Sequence, residues 1–198
     1  MKRFHRLAAI VLMGVAAKAA GETVRYETVR GDVKVRGTST LHDWTVHSTS
    51  FVGIVETSLS FAPSPEAIDM RIELTIRADS LKSHKESMDK VMYKALDESD
   101  CPDITYRLQS ARARPGETNG LVLDTAGELN VACHARELKA EVRVDVRPGG
   151  ELLLSGNAPL KMTDFSIEPP RALAGVIRSG DAVTVEFEWL LRKADGEP

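Results

Sequence analysis

From Ile68 to Ile76 the chain alternates without a break. Ile68, Met70, Ile72, Leu74 and Ile76 are apolar, and Asp69, Arg71, Glu73 and Thr75 between them are polar. A period of two suits an extended strand with one buried and one solvated face, and it does not suit a helix. The pattern returns at Leu121, Leu123, Leu129 and Val131, then at Leu138, Ala140, Val142, Val144 and Val146. It continues at Leu152, Leu154, Ala158 and Leu160, and at Val183, Val185, Phe187, Trp189 and Leu191. Less regular strands are expected over 24–29, 33–38 and 43–55. Asn119-Gly120, Pro148-Gly149-Gly150 and Ser179-Gly180-Asp181 read as tight turns between them. Strands joined by tight turns are antiparallel neighbours. The expected fold is therefore all-β, a lipocalin-like antiparallel up-and-down barrel of about eight strands. A two-sheet sandwich is the alternative. Either way the apolar rows face inward, because a protein in water cannot expose so many of them.

The first residues read as a targeting signal. Lys2, Arg3 and Arg6 precede an apolar run from Leu7 to Ala17, and Ala17-Lys18-Ala19 supplies a small-x-small cleavage pattern. That run is shorter than the roughly 20 residues a membrane-spanning helix needs. No cysteine nearby offers a lipid anchor. The expected organisation is a signal peptide over 1–19, in preference to a buried N-terminal helix, and a barrel domain over 21–193. The expected location is the periplasm or the exterior. Cleavage removes four cations, leaving 22 against 29 acidic residues and a net charge of −7. An acidic chain without a basic cluster argues against nucleic acid and against electrostatic docking on anionic lipid. Stable membrane insertion is not expected, and the oligomeric state is not legible.

One helix is expected to interrupt the strands. Ser83 and Glu86 have capping-box spacing, and Met88, Val91, Met92, Ala95 and Leu96 fall on one helical face. Such a face needs a surface to cover, and a barrel end is the natural one. Cys101 and Cys133 flank the hairpin that turns at 115–120. They fall nearly opposite each other but one residue out of register, and a one-residue slip sends side chains to opposite faces. A disulfide and two buried thiols both remain open. No metal-ligand spacing, cofactor motif or nucleophile elbow occurs. His42 and His47 would lie on opposite faces of a strand. His84 and His134 read as surface residues. No catalytic residue, metal site or cofactor is assigned.

An eight-stranded barrel either fills with side chains or holds one small ligand. Small inward residues (Gly127, Ala140, Gly156 and Ala158) favour volume inside, whereas easing strand curvature is their alternative role. The candidate ligand-contacting residues come from the inward rows and the helix stripe. They are Ile72, Leu74 and Ile76; Met88 and Met92; Tyr106 and Leu108; and Leu129, Val142 and Val144. Leu154, Gly156, Phe165, Phe187 and Trp189 complete the set. Ser39, His42, Lys161 and Arg178 are candidates to meet a polar head group at the mouth.

Two irregular segments add a family signal. Gly37-Thr38-Ser39-Thr40-Leu41-His42-Asp43-Trp44 contains a Ser-Thr-x-His-Asp-Trp element, with Asp43 expected to bond backbone amides at the bend. Met162-Thr163-Asp164-Phe165-Ser166-Ile167-Glu168-Pro169-Pro170 follows far downstream, and Met88, Met92 and Ala95-Leu96 sit between. From about residue 23 to 191 the chain resembles the YceI-like family, periplasmic barrels associated with polyisoprenoid lipids. The family's His-x-x-x-Gly-x-Phe pattern is only partly kept, as Phe51-Val52-Gly53-Ile54-Val55. The resemblance implies a binder of an isoprenoid or similar amphipathic lipid, with isoprenoid quinones and polyprenyl compounds as candidates. A non-binding envelope module and an envelope hydrolase are the competing expectations.

Overall fold

The computed structural model describes residues 23–58, 68–116 and 120–194. The expected signal peptide, Asn119 of the first tight turn and the last four residues lie outside the described residues. The strands are β1 (Val24–Ser39), β2 (Trp44–Ser48), β3 (Phe51–Thr57), β4 (Met70–Arg77), β5 (Asp103–Pro115), β6 (Leu121–Val131), β7 (His134–Val146), β8 (Leu152–Lys161), β9 (Arg171–Ala172) and β10 (Ile177–Lys193). One helix, α1 (Glu86–Ala95), lies between β4 and β5.

Antiparallel pairing runs β1, β3, β4, β5, β6, β7, β8, β10, and β10 pairs back onto β1 from Tyr26–Lys193 to Ser39–Ser179. That seam closes the sheet and excludes the sandwich. β2 and β3 lie end to end along one edge of β1, pairing with 33–37 and 24–27 respectively. Taken as one interrupted strand, they make the barrel eight-stranded.

Where β1 leaves β3, a side chain replaces the backbone ladder. The Thr28 hydroxyl donates to the Gly53 carbonyl at 3.0 Å and accepts the Gly53 amide at 3.1 Å. It also accepts the Trp189 indole N–H at 2.9 Å. Trp189 is thus buried to 2 % exposure with its one donor satisfied.

Three sequence expectations are corrected. Ser179-Gly180-Asp181 is not a turn. β10 runs through it, and the register of the seam shifts between Gly37 and Ser39, which makes it a bulge against Thr38. Among the described residues no side chain caps the helix, and in place of the expected Ser83–Glu86 box Ser83 is bonded by Asp89. Its carboxylate accepts the Ser83 amide at 2.8 Å and the Ser83 hydroxyl at 2.5 Å, while Glu86 pairs with Lys90 one turn on. Finally, Ser39 holds the bend after β1, not Asp43. Its hydroxyl accepts the Leu41 and His42 amides and donates to the His42 carbonyl at 2.7 Å.

Cys101 and Cys133 form a disulfide, with Cα atoms 5.5 Å apart. Both lie outside the ladder, so strand parity does not govern them. Cys101 precedes β5, and Cys133 occupies the two-residue turn between β6 and β7, where Ala132 and Cys133 have φ of 49° and 59°. Such positive values are typical of tight hairpin turns.

Candidate ligand-binding cavity

The inward rows do not fill the barrel evenly. Toward one end Tyr26, Val55, Ala111, Ala113, Leu121, Leu123, Leu152 and Leu191 pack against one another, all buried. Toward the other end, where β4 meets β5 and β6 meets β7, the same rows line a cavity of about 630 Å³. Trp189 lines it beside that packed end and meets Phe51 edge to face, with ring centroids 5.1 Å apart.

Helix α1 borders the cavity at the open end. Met88, Val91, Met92, Ala95 and Leu96, the whole expected stripe, line it. Tyr93 on another face ties the helix down, its hydroxyl lying 2.7 Å from the Leu81 carbonyl and 2.6 Å from Lys82 Nζ. Lys82 in turn exchanges two backbone hydrogen bonds with His47, each 2.9 Å, so the segment leading to the helix is sewn to β2. The 162–167 segment joins from the other side. Phe165 and Ile167 are buried with Ala132 against Ala95, Leu96 and Leu160. Thr163 anchors that segment by donating its amide and hydroxyl to Asp181 at 2.9 and 2.8 Å. Those two bonds, with a smaller contribution from the Lys161 charge, hold the Asp181 carboxyl below its usual pKa.

Of the fifteen candidate contact residues, twelve line the cavity. They are Ile72, Leu74, Ile76, Met88, Met92, Tyr106, Leu129, Val142, Leu154, Phe165, Phe187 and Trp189. Leu108 and Val144 do not, because they lie one step further along their strands and belong to the packed end. Gly156 does not either. The Phe187 ring lies over it, so that a Cβ there would stand 2.9 Å from the ring's Cζ and 2.8 Å from the Glu141 carbonyl. Gly127 is covered likewise by Tyr106, at 2.5 Å. Ala140 and Ala158 do face the cavity. The two glycines therefore let rings lie flat against the wall, and the two alanines leave volume.

Val33, Val35, Val46 and Phe51 also line the cavity, and the sequence reading missed them. The bulge in β1 and the break between β2 and β3 scramble the alternation there. Gly31, directly beneath the Phe51 ring, is the signal that would have placed that ring.

The Thr125 hydroxyl inside the cavity is bonded to the barrel wall. Thr125 donates to the Ala140 carbonyl at 2.8 Å. Burial raises the Tyr106 phenol above its usual pKa, and a hydrogen bond with Thr125 opposes that shift. Charge is confined to the exposed mouth, where Lys85, Lys161 and Arg171 line the cavity with Ser39 and His42. Arg178 does not line it; its Nε donates to the Gly175 carbonyl at 3.1 Å. The His42 ring is 2.9 Å from the Asp43 carbonyl, and His47 pairs with Asp32 at 2.7 Å. Among the described residues, no three of His, Cys, Asp and Glu are grouped to hold a metal.

The model of the YceI-like domain matches residues 16–190. The chain belongs to the YceI-like family. Solved structures share the fold at low identity. Burkholderia cenocepacia BcnA aligns with a TM-score of 0.64 and 15% identity, over 81% of this chain and 95% of that one. A polyisoprenoid binding domain from Saccharophagus degradans, implicated in plant cell wall breakdown, aligns with a TM-score of 0.64 and 13% identity, over 86% and 99%. The Campylobacter jejuni YCEI protein aligns with a TM-score of 0.54 and 13% identity, over 76% and 85%. No curated protein matches the chain significantly.

Proposed function

We propose that this YceI-like protein binds an isoprenoid or similar amphipathic lipid after export to the periplasm, its chain inside the barrel and its head at the mouth. The observation that carries the reading is the cavity itself: about 630 Å³, walled by aliphatic and aromatic side chains, with charge only at the opening. Its size falls within the roughly 300–1,000 Å³ of small-molecule sites. The polyisoprenoid binding domain from Saccharophagus degradans, alike in fold, supports the choice of lipid class. A chain burying about 400 Å² would gain on the order of 10 kcal/mol before ordering costs. No chemistry is needed; the protein carries or sequesters.

A ligand that binds only the native state stabilises it by about 2.7 kcal/mol at a hundredfold excess over Kd. In a domain of this size that raises the melting midpoint by roughly 5–11 °C. Geranylgeraniol is expected to produce such a shift, and a short polar alcohol none. Equal responses to the two, or no response to either, would contradict the reading.

A further inference from the structure

Resting on the lipid-binding reading, we infer that the bound lipid carries an anionic head group, phosphate or carboxylate in character, held by Lys85, Lys161 and Arg171 at the mouth. The observation is a charge asymmetry. All three residues line the cavity, and no Asp or Glu among the described residues does so. The chain as a whole carries more acidic than basic residues, 29 against 26, so a lining drawn at random would include carboxylates. The three cations also come from separate parts of the chain: the residue before α1, the end of β8 and the start of β9. The fold gathers them at one opening.

Their present partners leave them free to take a ligand. Arg171 meets Glu168 at 3.3 Å, and the Glu168 side chain is 80% exposed. Such a surface pair contributes little, and exchanging it for a ligand anion costs little. Lys161 lies near Asp181, whose carboxylate is already occupied by Thr163. The apolar wall sets the depth of the head. The Thr125 hydroxyl already donates to the Ala140 carbonyl and the wall around it is almost wholly apolar, so a charged group drawn inward would lose hydration with little to replace it. It stays at the rim, which three cationic residues border.

The test compares heads on one chain. Farnesyl phosphate, farnesol and inorganic phosphate are titrated against the full-length protein by calorimetry, at low and at physiological salt. Three screened contacts, each worth a factor of about two to three, predict farnesyl phosphate binding about tenfold tighter than farnesol. The advantage should shrink as salt rises, and inorganic phosphate alone should not bind measurably. In the triple variant Lys85→Gln/Lys161→Gln/Arg171→Gln, farnesol affinity should be retained and the phosphate advantage lost. All three positions are exposed, and an unchanged melting midpoint would certify folding. If that variant melts early, the salt dependence of the wild type decides in its place. Equal affinity for farnesol and farnesyl phosphate, or an advantage indifferent to salt and to the variant, overturns this inference and leaves lipid binding standing. Inorganic phosphate binding as tightly as farnesyl phosphate would also overturn it, by making the mouth a free-anion site. Failure of both farnesyl compounds to bind overturns the inference and the lipid-binding reading together.

Discussion

At position 156 the Phe187 ring occupies the space a side chain would need, whereas two residues along the same strand the Ala158 methyl faces open volume. Strand parity places both residues inward and cannot tell them apart. The difference comes from a neighbour, Phe187, which stands directly opposite Gly156 across β8 and β10. Substitution separates the two roles. Ala158→Leu adds atoms where there is a void, so its melting midpoint should stay within about 4 °C of wild type, about 1 kcal/mol in a domain of this size. Its stabilisation by geranylgeraniol should nevertheless be lost. Gly156→Leu must displace Phe187 and press on the Glu141 carbonyl, and overpacking of this kind costs about 1–3 kcal/mol. Thermal melts with and without the lipid distinguish the outcomes. Equal destabilisation by both substitutions would mean that the alanine, too, is closely packed.

The helix and its tether belong to the next scale. A 3.6-residue period fixed the face of α1, and all five expected stripe residues border the cavity. The partner of Ser83 was not legible, because Ser83 precedes both Glu86 and Asp89 and only the approach of the chain selects between them. The bulge at 179–181 was hidden for a related reason: Ser, Gly and Asp serve a bulge as readily as a turn. The cysteine pair escaped the parity argument because neither member sits in a ladder. That pair joins the segment after α1 to the β6–β7 turn, its members 32 positions apart in the sequence. The chain-entropy account gives about 3–4 kcal/mol for closing such a loop. Cys101→Ser/Cys133→Ser should therefore lower the melting midpoint by roughly 6–16 °C. A smaller loss would show that packing of Phe165, Ile167 and Ala132 alone secures this end.

Across the whole molecule, alternation made the barrel legible because one inward face repeats along every long strand. The closing seam was less so. β1 and β10, of 16 and 17 residues, each carry irregularities that split them in the sequence into shorter segments. Alternation also says which residues face inward but not how far along the axis the packing extends. For that reason Leu108 and Val144 were grouped with residues that line the cavity, although both belong to the packed end. The resulting molecule is filled at one end and hollow at the other, and the hollow end carries the helix, the disulfide and the cationic mouth. An apolar volume of about 630 Å³ has little to gain from water, which needs polar partners to be held. Native mass spectrometry of the purified mature protein, followed by organic extraction, tests the central claim most directly. The expected result is an extra mass at near one-to-one stoichiometry that extracts as an isoprenoid or similar long-chain lipid. A protein of bare polypeptide mass that also takes up nothing when offered quinones or polyprenyl phosphates would contradict it.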